Sequence, residues 1–224
     1  MVILGISSAT KVISAALVEN GKLLSEITVS GKEAFSENLI QYIEKMVEEC
    51  QKKIEGIAVV VGPGAYSGLR GGLATAKTLA QVKNIKLAAV STLHALAYNL
   101  NGITGTIATI TDACQNDFNF ALFSANNNKI ERITDDMVLH FDRLTEVLGQ
   151  IKGELHLTGA VEEIFAKVKE LNPETKLVPA RDNTVSGYNV ALIGEELIKE
   201  GKLEDPLKLM PKYSHNPNIR EFKA

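Results

Sequence analysis

"VILGISSATKVISAALVENGKLLSEITV", residues 2–29, consists of three apolar runs divided by short polar turns. "VILGI" ends in Ser7-Ser8-Ala9-Thr10, "VISAALV" runs to Asn20-Gly21, and "KLLSEITV" follows. Asn-Gly between apolar runs is a strong hairpin signal, because both residues tolerate positive φ. The stretch predicts a three-stranded antiparallel meander.

Residues 106–133 repeat the plan: "TIATI", a polar turn at Thr111-Asp112-Ala113, "FNFALFSA", an Asn126-Asn127-Asn128 turn, then "KIERIT". Working outward, a helical pattern follows each meander, at 36–53 and at 141–151. Each half then runs from a strand through a glycine turn into a helix, "IAVVVGPGAYSGLRGGLATAKTLA" and "ELHLTGAVEEIFAKV". A short strand and a last helix close each half: "KLAAV" with "STLHALAYNL", and "KLVPA" with "GYNVALIGEELIKE". Residue identity between the halves is low, so the agreement is one of element order. It predicts a duplicated α/β fold of the actin-like ATPase (ribonuclease H-like) kind, with two lobes, mixed sheets and flanking helices. Residues 1–103 would form the first lobe and 104–224 the second, with a C-terminal tail able to return to the first. On this plan the turns around Ser7 and Asp112 face each other across a cleft.

The 224 residues carry 24 Lys/Arg against 27 Asp/Glu, a net charge of −3. Residues 1–100 hold 10 basic and 8 acidic side chains; residues 101–224 hold 14 and 19. A chain that binds RNA unaided usually presents a concentrated basic face, and none is legible here. No apolar run approaches the roughly 20 residues that cross a bilayer, and the N-terminus lacks a basic start with an apolar stretch. Cys50 and Cys114 are far apart and form no CxxC, as expected of free thiols in a reducing cytoplasm.

The stretch "VVVGPGAYSGLRGGLATAKTLA", residues 59–80, invites a phosphate-loop reading. Neither Gly62 nor Gly64 has the Gly-Lys of a Walker loop at the required spacing, and Ser67 stands where a Rossmann fingerprint needs its third glycine. A general anion site at Gly62, Gly64, Ser67 and Gly68 remains, with Ser67 as the expected N-cap. An empty connecting turn explains the same residues equally well.

Gly71 and Gly72 lie inside the helical pattern, where each costs about 1 kcal/mol relative to alanine. Gly72, Ala76 and Ala80 share a face flanked by Leu69, Leu73 and Leu79, a small stripe that admits a second helix closely. In the preceding helix Phe35, Leu39, Ile40, Tyr42, Ile43, Met46, Val47 and Cys50 cover an arc of about 160°, against the roughly 100° a core-facing stripe needs. The surplus predicts a partner interface of Leu39, Ile40, Ile43, Met46, Val47, Leu69, Gly72, Leu73, Ala76 and Ala80.

Catalytic parts are scarce. The second turn offers Asp112, read as an ordinary turn residue. The first offers only Ser7 and Ser8, poor metal ligands beside a carboxylate. His94, His140, His156 and His215 have no metal-ligand spacing, and His94 reads as a core residue. No catalytic residue, metal or cofactor is expected.

"GPGAYSGLRGGLATAKTLA" resembles the GPGSFTGLRIGxATAKGLA motif of the TsaB (YeaZ) family, and "ILGISSAT", "KLAAVSTLHALA" and "PKYSHNPNIRE" support the match. Three positions depart from the family pattern: Ser7 replaces an Asp, Phe35 a His, and Cys114 the Arg of a DAR turn. The resemblance implies a non-catalytic cytoplasmic subunit. It would pair with TsaD through the first-lobe helices, 36–53 and 67–83, and be joined by the ATPase TsaE. The assembly would transfer a threonylcarbamoyl group to the adenosine beside the tRNA anticodon. This chain would meet tRNA only indirectly, without membrane association, and a homodimer through the same helices would compete. The alternative is an ATP-dependent small-molecule kinase of the actin-like superfamily, which the missing first-turn carboxylate disfavours.

Overall fold

A computed structural model describes residues 1–30, 38–127, 129–159, 161–179 and 183–214. Phe35, the expected helix start at Ser36, His215 and the end of the "PKYSHNPNIRE" motif lie outside the described residues.

The meander forms as expected: β1 (Val2–Ser7), β2 (Val12–Glu19) and β3 (Lys22–Ser30) pair antiparallel, with Asn20 and Gly21 both at positive φ in the hairpin turn. β4 (Gly56–Gly62) joins β1 in parallel, and β5 (Lys86–Ser91) joins β4, giving the sheet order β3-β2-β1-β4-β5. The second sheet repeats this with β6 (Thr104–Asp112), β7 (Asp117–Asn126), β8 (Lys129–Arg132), β10 (Leu155–Gly159) and β11 (Thr175–Leu177), in the order β11-β10-β6-β7-β8. β9 (Met137–His140), which the sequence reading did not anticipate, pairs with the start of β7.

Alternate residues of β1 and β4 point to opposite faces, and both faces are covered, so apart from Ser7 the two strands consist of apolar residues and glycine. Leu4, Ile6, Ile57 and Val59 meet α1 (Leu39–Cys50) and α2 (Tyr66–Lys83). Ile3, Ala58 and Val60 meet α3 (Thr92–Ala97) and α6 (Gly187–Lys199). The second sheet packs Ala108, Ile110, Phe120, Leu155 and Leu157 against α4 (Phe141–Gly149) and α5 (Glu162–Leu171). Its other face, through Ile107, Ala121 and Phe123, receives Leu93 and Ala97 of α3. The short helix α3 therefore forms the layer between the two sheets. Although it comes late in the chain, α6 packs on the first sheet, where Gly5 lies against the carbonyl of Gly187 and the backbone of Ala191. The molecule has the duplicated actin-like α/β architecture.

Candidate functional site

The glycine stretch sits where β4 turns into α2. The backbone N–H of Ala65 donates to the Ala9 carbonyl at 2.7 Å, and Ser8 Oγ donates to the Gly68 carbonyl at 2.8 Å. A Cβ on Gly64 would fall 2.4 Å from the Ala9 carbonyl oxygen, one on Gly68 2.0 Å from that of Ser8, and one on Gly72 2.1 Å from Ser8 Oγ. Atoms cannot approach so closely, so these positions are glycine because the β1–β2 turn of the same chain fills the space. This corrects the reading of Gly72 as a seat for a partner helix. The expected cap is corrected too: α2 begins at Tyr66 with Ala65 as its N-cap, because the bond to Ala9 closes the turn before Ser67 is reached, and Ser67 is exposed.

Gly62 has φ +129°, a region that disfavours side chains. The carbonyl oxygen of Lys212 lies 2.1 Å from where its Cβ would be, and the Lys212 N–H donates to the Val61 carbonyl at 2.7 Å. The tail thus returns across the end of β4. Lys77 Nζ donates to the Leu209 carbonyl at 2.9 Å, Tyr213 stacks on Tyr66 with centroids 4.9 Å apart, and Arg70 Nε donates to the Tyr213 hydroxyl at 3.0 Å. That hydrogen bond raises the Arg70 pKa above its ordinary value. One residue on, Ser214 Oγ donates to Asn119 Oδ1 on β7 of the second sheet. The tail therefore spans the carboxyl ends of β4 and β6, the place where open α/β sheets receive ligands. On the Gly62–Gly64 side of the candidate anion loop the nearest groups are carbonyl oxygens, which present the wrong end of the dipole to an anion.

Other helix N-termini are likewise met from within. At α6, Glu26 Oε1 accepts from the Tyr188 N–H at 3.2 Å and Ser186 Oγ accepts from the Asn189 N–H at 3.1 Å. At α3, Ser91 Oγ accepts from the His94 N–H at 3.4 Å and donates to Asp136 Oδ2 at 2.8 Å. Asp112 is exposed and closes its own turn, Oδ1 accepting from the Cys114 N–H at 2.7 Å; Ser7 is fully buried. His94 lies flat on Phe123 at 5.4 Å and edge-on to Tyr98 at 5.2 Å. Burial, aided by nearby Arg132, pushes its pKa down to about 4. Among the described residues no three His, Cys, Asp or Glu gather as metal ligands would.

The predicted seam residues are placed differently from one another. Leu39, Ile43, Met46, Leu73, Ala76 and Ala80 belong to the core against the first sheet, Leu69 and Gly72 are also buried, Val47 is half-buried, and Ile40 is 38% exposed. The expectation that this whole set awaits a partner is corrected. The wide apolar arc of α1 arises because the helix meets β2, β3 and α2 together. Outward on α2 stand Arg70, Ala74, Thr78, Gln81 and Val82, and a groove of about 380 Å³ separates Ala74 and Thr78 from Met210 and Pro211 of the tail. Sequence reasoning missed Glu26, Asn119 and Lys212 as the groups that fill the crevice. Gly62 at the end of an apolar strand was the available signal.

Comparison with known proteins places this geometry. Residues 22–222 match a family model described as TsaD, tRNA N6-adenosine threonylcarbamoyltransferase. The chain is 30% identical over 139 residues, 61% of either chain, to the tRNA threonylcarbamoyladenosine biosynthesis protein TsaB of Bacillus subtilis. It is 25% identical to the Escherichia coli protein of that name, over 96% of this chain and 95% of the other. A solved structure, YeaZ from Pseudomonas aeruginosa, superposes with a TM-score of 0.75 at 18% identity, covering 95% of this chain and 99% of that one.

Proposed function

The chain belongs to the family of the matched threonylcarbamoyltransferase model and to its TsaB (YeaZ) members, and from that premise we propose that it serves tRNA threonylcarbamoyladenosine synthesis as a non-catalytic subunit. It pairs with a TsaD-like protein, which performs the transfer to the adenosine next to the anticodon, and a TsaE-like ATPase joins the pair in the cytoplasm. The first lobe offers the partner surface, through Ile40 on α1 and the outward side of α2 around Ala74, Thr78 and Val82. A second copy of the chain competes for that surface.

The observation that carries this reading is the filled crevice. The tail backbone lies on Gly62, and the Ala9 carbonyl and the Glu26 carboxylate take up N–H groups at the starts of α2 and α6. Nucleotide phosphates would need those donors. The same geometry weighs against an ATP-dependent small-molecule kinase, which must open this space to Mg-ATP and place a carboxylate at the first turn.

Co-purification with the TsaD-like protein of the same organism, followed by a tRNA modification assay, tests the reading. Modification is expected only when both chains are present, and calorimetry of this chain alone with Mg-ATP is expected to show no binding heat. Turnover by the lone chain, or full modification without it, would overturn the proposal.

A further inference from the structure

Two sets of contacts tie the lobes together; the first is anchored on α2, and the second lies away from α1 and α2. The first is the tail, fixed on one lobe by Lys212 on Val61 and Tyr213 on Tyr66, and on the other by Ser214 on Asn119. Asn119 is only 3% exposed, and its amide donates to Thr111 Oγ1 at 3.2 Å and to the Asp112 carbonyl at 3.3 Å. Those bonds fix the side chain with Oδ1 toward the tail, so departure of the tail would leave a buried acceptor without this donor. The second set runs from Ser91 at the end of β5 to Asp136, which also accepts from Arg132 Nη1 at 2.6 Å, while Arg132 lies over the Phe123 ring at 4.7 Å. Between the two sets, α3 buries Leu93 and Ala97 on the second sheet and Ala95 and Leu96 on the first.

A hinge opening at the crevice would have to break these contacts together. We propose that residues 209–214 are an intramolecular strap that occupies the crevice in place of a ligand and holds the two lobes at one fixed angle. The molecule then meets any partner as a rigid body. The inference stands on contacts within the chain and does not depend on which partner binds.

The test uses the full chain. Nitroxide labels go on the exposed Cys114 and on a cysteine at the exposed Glu48 in a Cys50→Ser background. The interlobe distance is read by pulsed electron resonance, and backbone exchange of residues 209–214 by mass spectrometry. One narrow distance, unchanged by Mg-ATP, is expected, with strap amides exchanging at least about tenfold more slowly than in a free peptide. In Tyr213→Ala/Ser214→Ala the strap should lose that protection and the distance distribution should broaden, while the far-UV dichroism stays the same. Both changes are at partly exposed tail positions. Should that variant still unfold, the parent protein decides the matter alone. A broad distance, an unprotected strap or a shift with Mg-ATP in the parent would overturn the proposal, as would a folded variant whose distance stays narrow.

Discussion

His94 occupies an awkward place for a titratable ring, pressed on Phe123 and Tyr98 between the lobes, with Arg132 and Asp136 the charged groups nearby. Its folded pKa of about 4 lies below the ordinary value of 6.5. Between those pH values the unfolded chain binds a proton that the folded chain does not. The stability from this site is therefore complete above pH 6.5 and is lost as pH falls toward 4, by roughly 3 kcal/mol in all. His94→Phe keeps a ring in the stack and removes the titration. Denaturant melts of both proteins at pH 4, 5, 6 and 7 should show the parent losing more stability than the variant on acidification. Parallel pH profiles would refute the assignment. Residue-scale chemistry was partly legible in the sequence: an apolar helix marks His94 as a core residue. Gly72 was harder. Its sequence context says that something comes close, but only the fold reveals Ser8, 64 positions earlier in the chain, as the neighbour.

α1 separates two residues that periodicity alone treats alike. Ile43 is 3% exposed against the first sheet, whereas Ile40, one turn earlier, is 38% exposed. An aspartate at 43 would bury an unpaired charge, costing about 4 kcal/mol or more, so Ile43→Asp should fail to fold. An aspartate at 40 changes stability by only about 0.5 kcal/mol, as surface substitutions do. Ile40→Asp should therefore melt like the parent yet lose association with the TsaD-like protein and with itself. Thermal melts combined with light scattering read both effects, and undiminished assembly of Ile40→Asp would remove α1 from the interface. The elements themselves were well marked by period and turn chemistry, from the Asn20-Gly21 hairpin to α1 and α2. β9 was not, because "MVLH" follows two aspartates and gains strand character only by pairing with Asp117–Phe120. Nor was the start of α2, which a carbonyl from another turn decides.

At the scale of the whole molecule, sequence order and spatial order part company. The repeat in the sequence suggests a cut after residue 103, and the two sheets do fall on either side of it. Yet α6 and the tail, both from beyond that cut, complete the first lobe. Val190, Ala191, Ile193 and Ile198 of α6 pack with Ile3, Ala58 and Val60, and Gly187 donates its N–H to Ser14 Oγ at 2.8 Å. No local signal assigns a helix to a sheet so distant in the chain, so this closure could not be read from periodicity. It has a direct consequence for folding. A fragment of residues 1–103 would keep α1 and α2 on one face of its sheet and α3 on part of the other, but leave in water the largely apolar surface that α6 covers. At about 25 cal/mol per Å² of exposed apolar surface, that loss rivals the whole stability of a small domain. The fragment should retain helix and strand signal in far-UV dichroism, bind a hydrophobic dye, and lack a sharp thermal transition. A fragment that melts cooperatively near the temperature of the full chain would mean that α6 is dispensable to the first lobe.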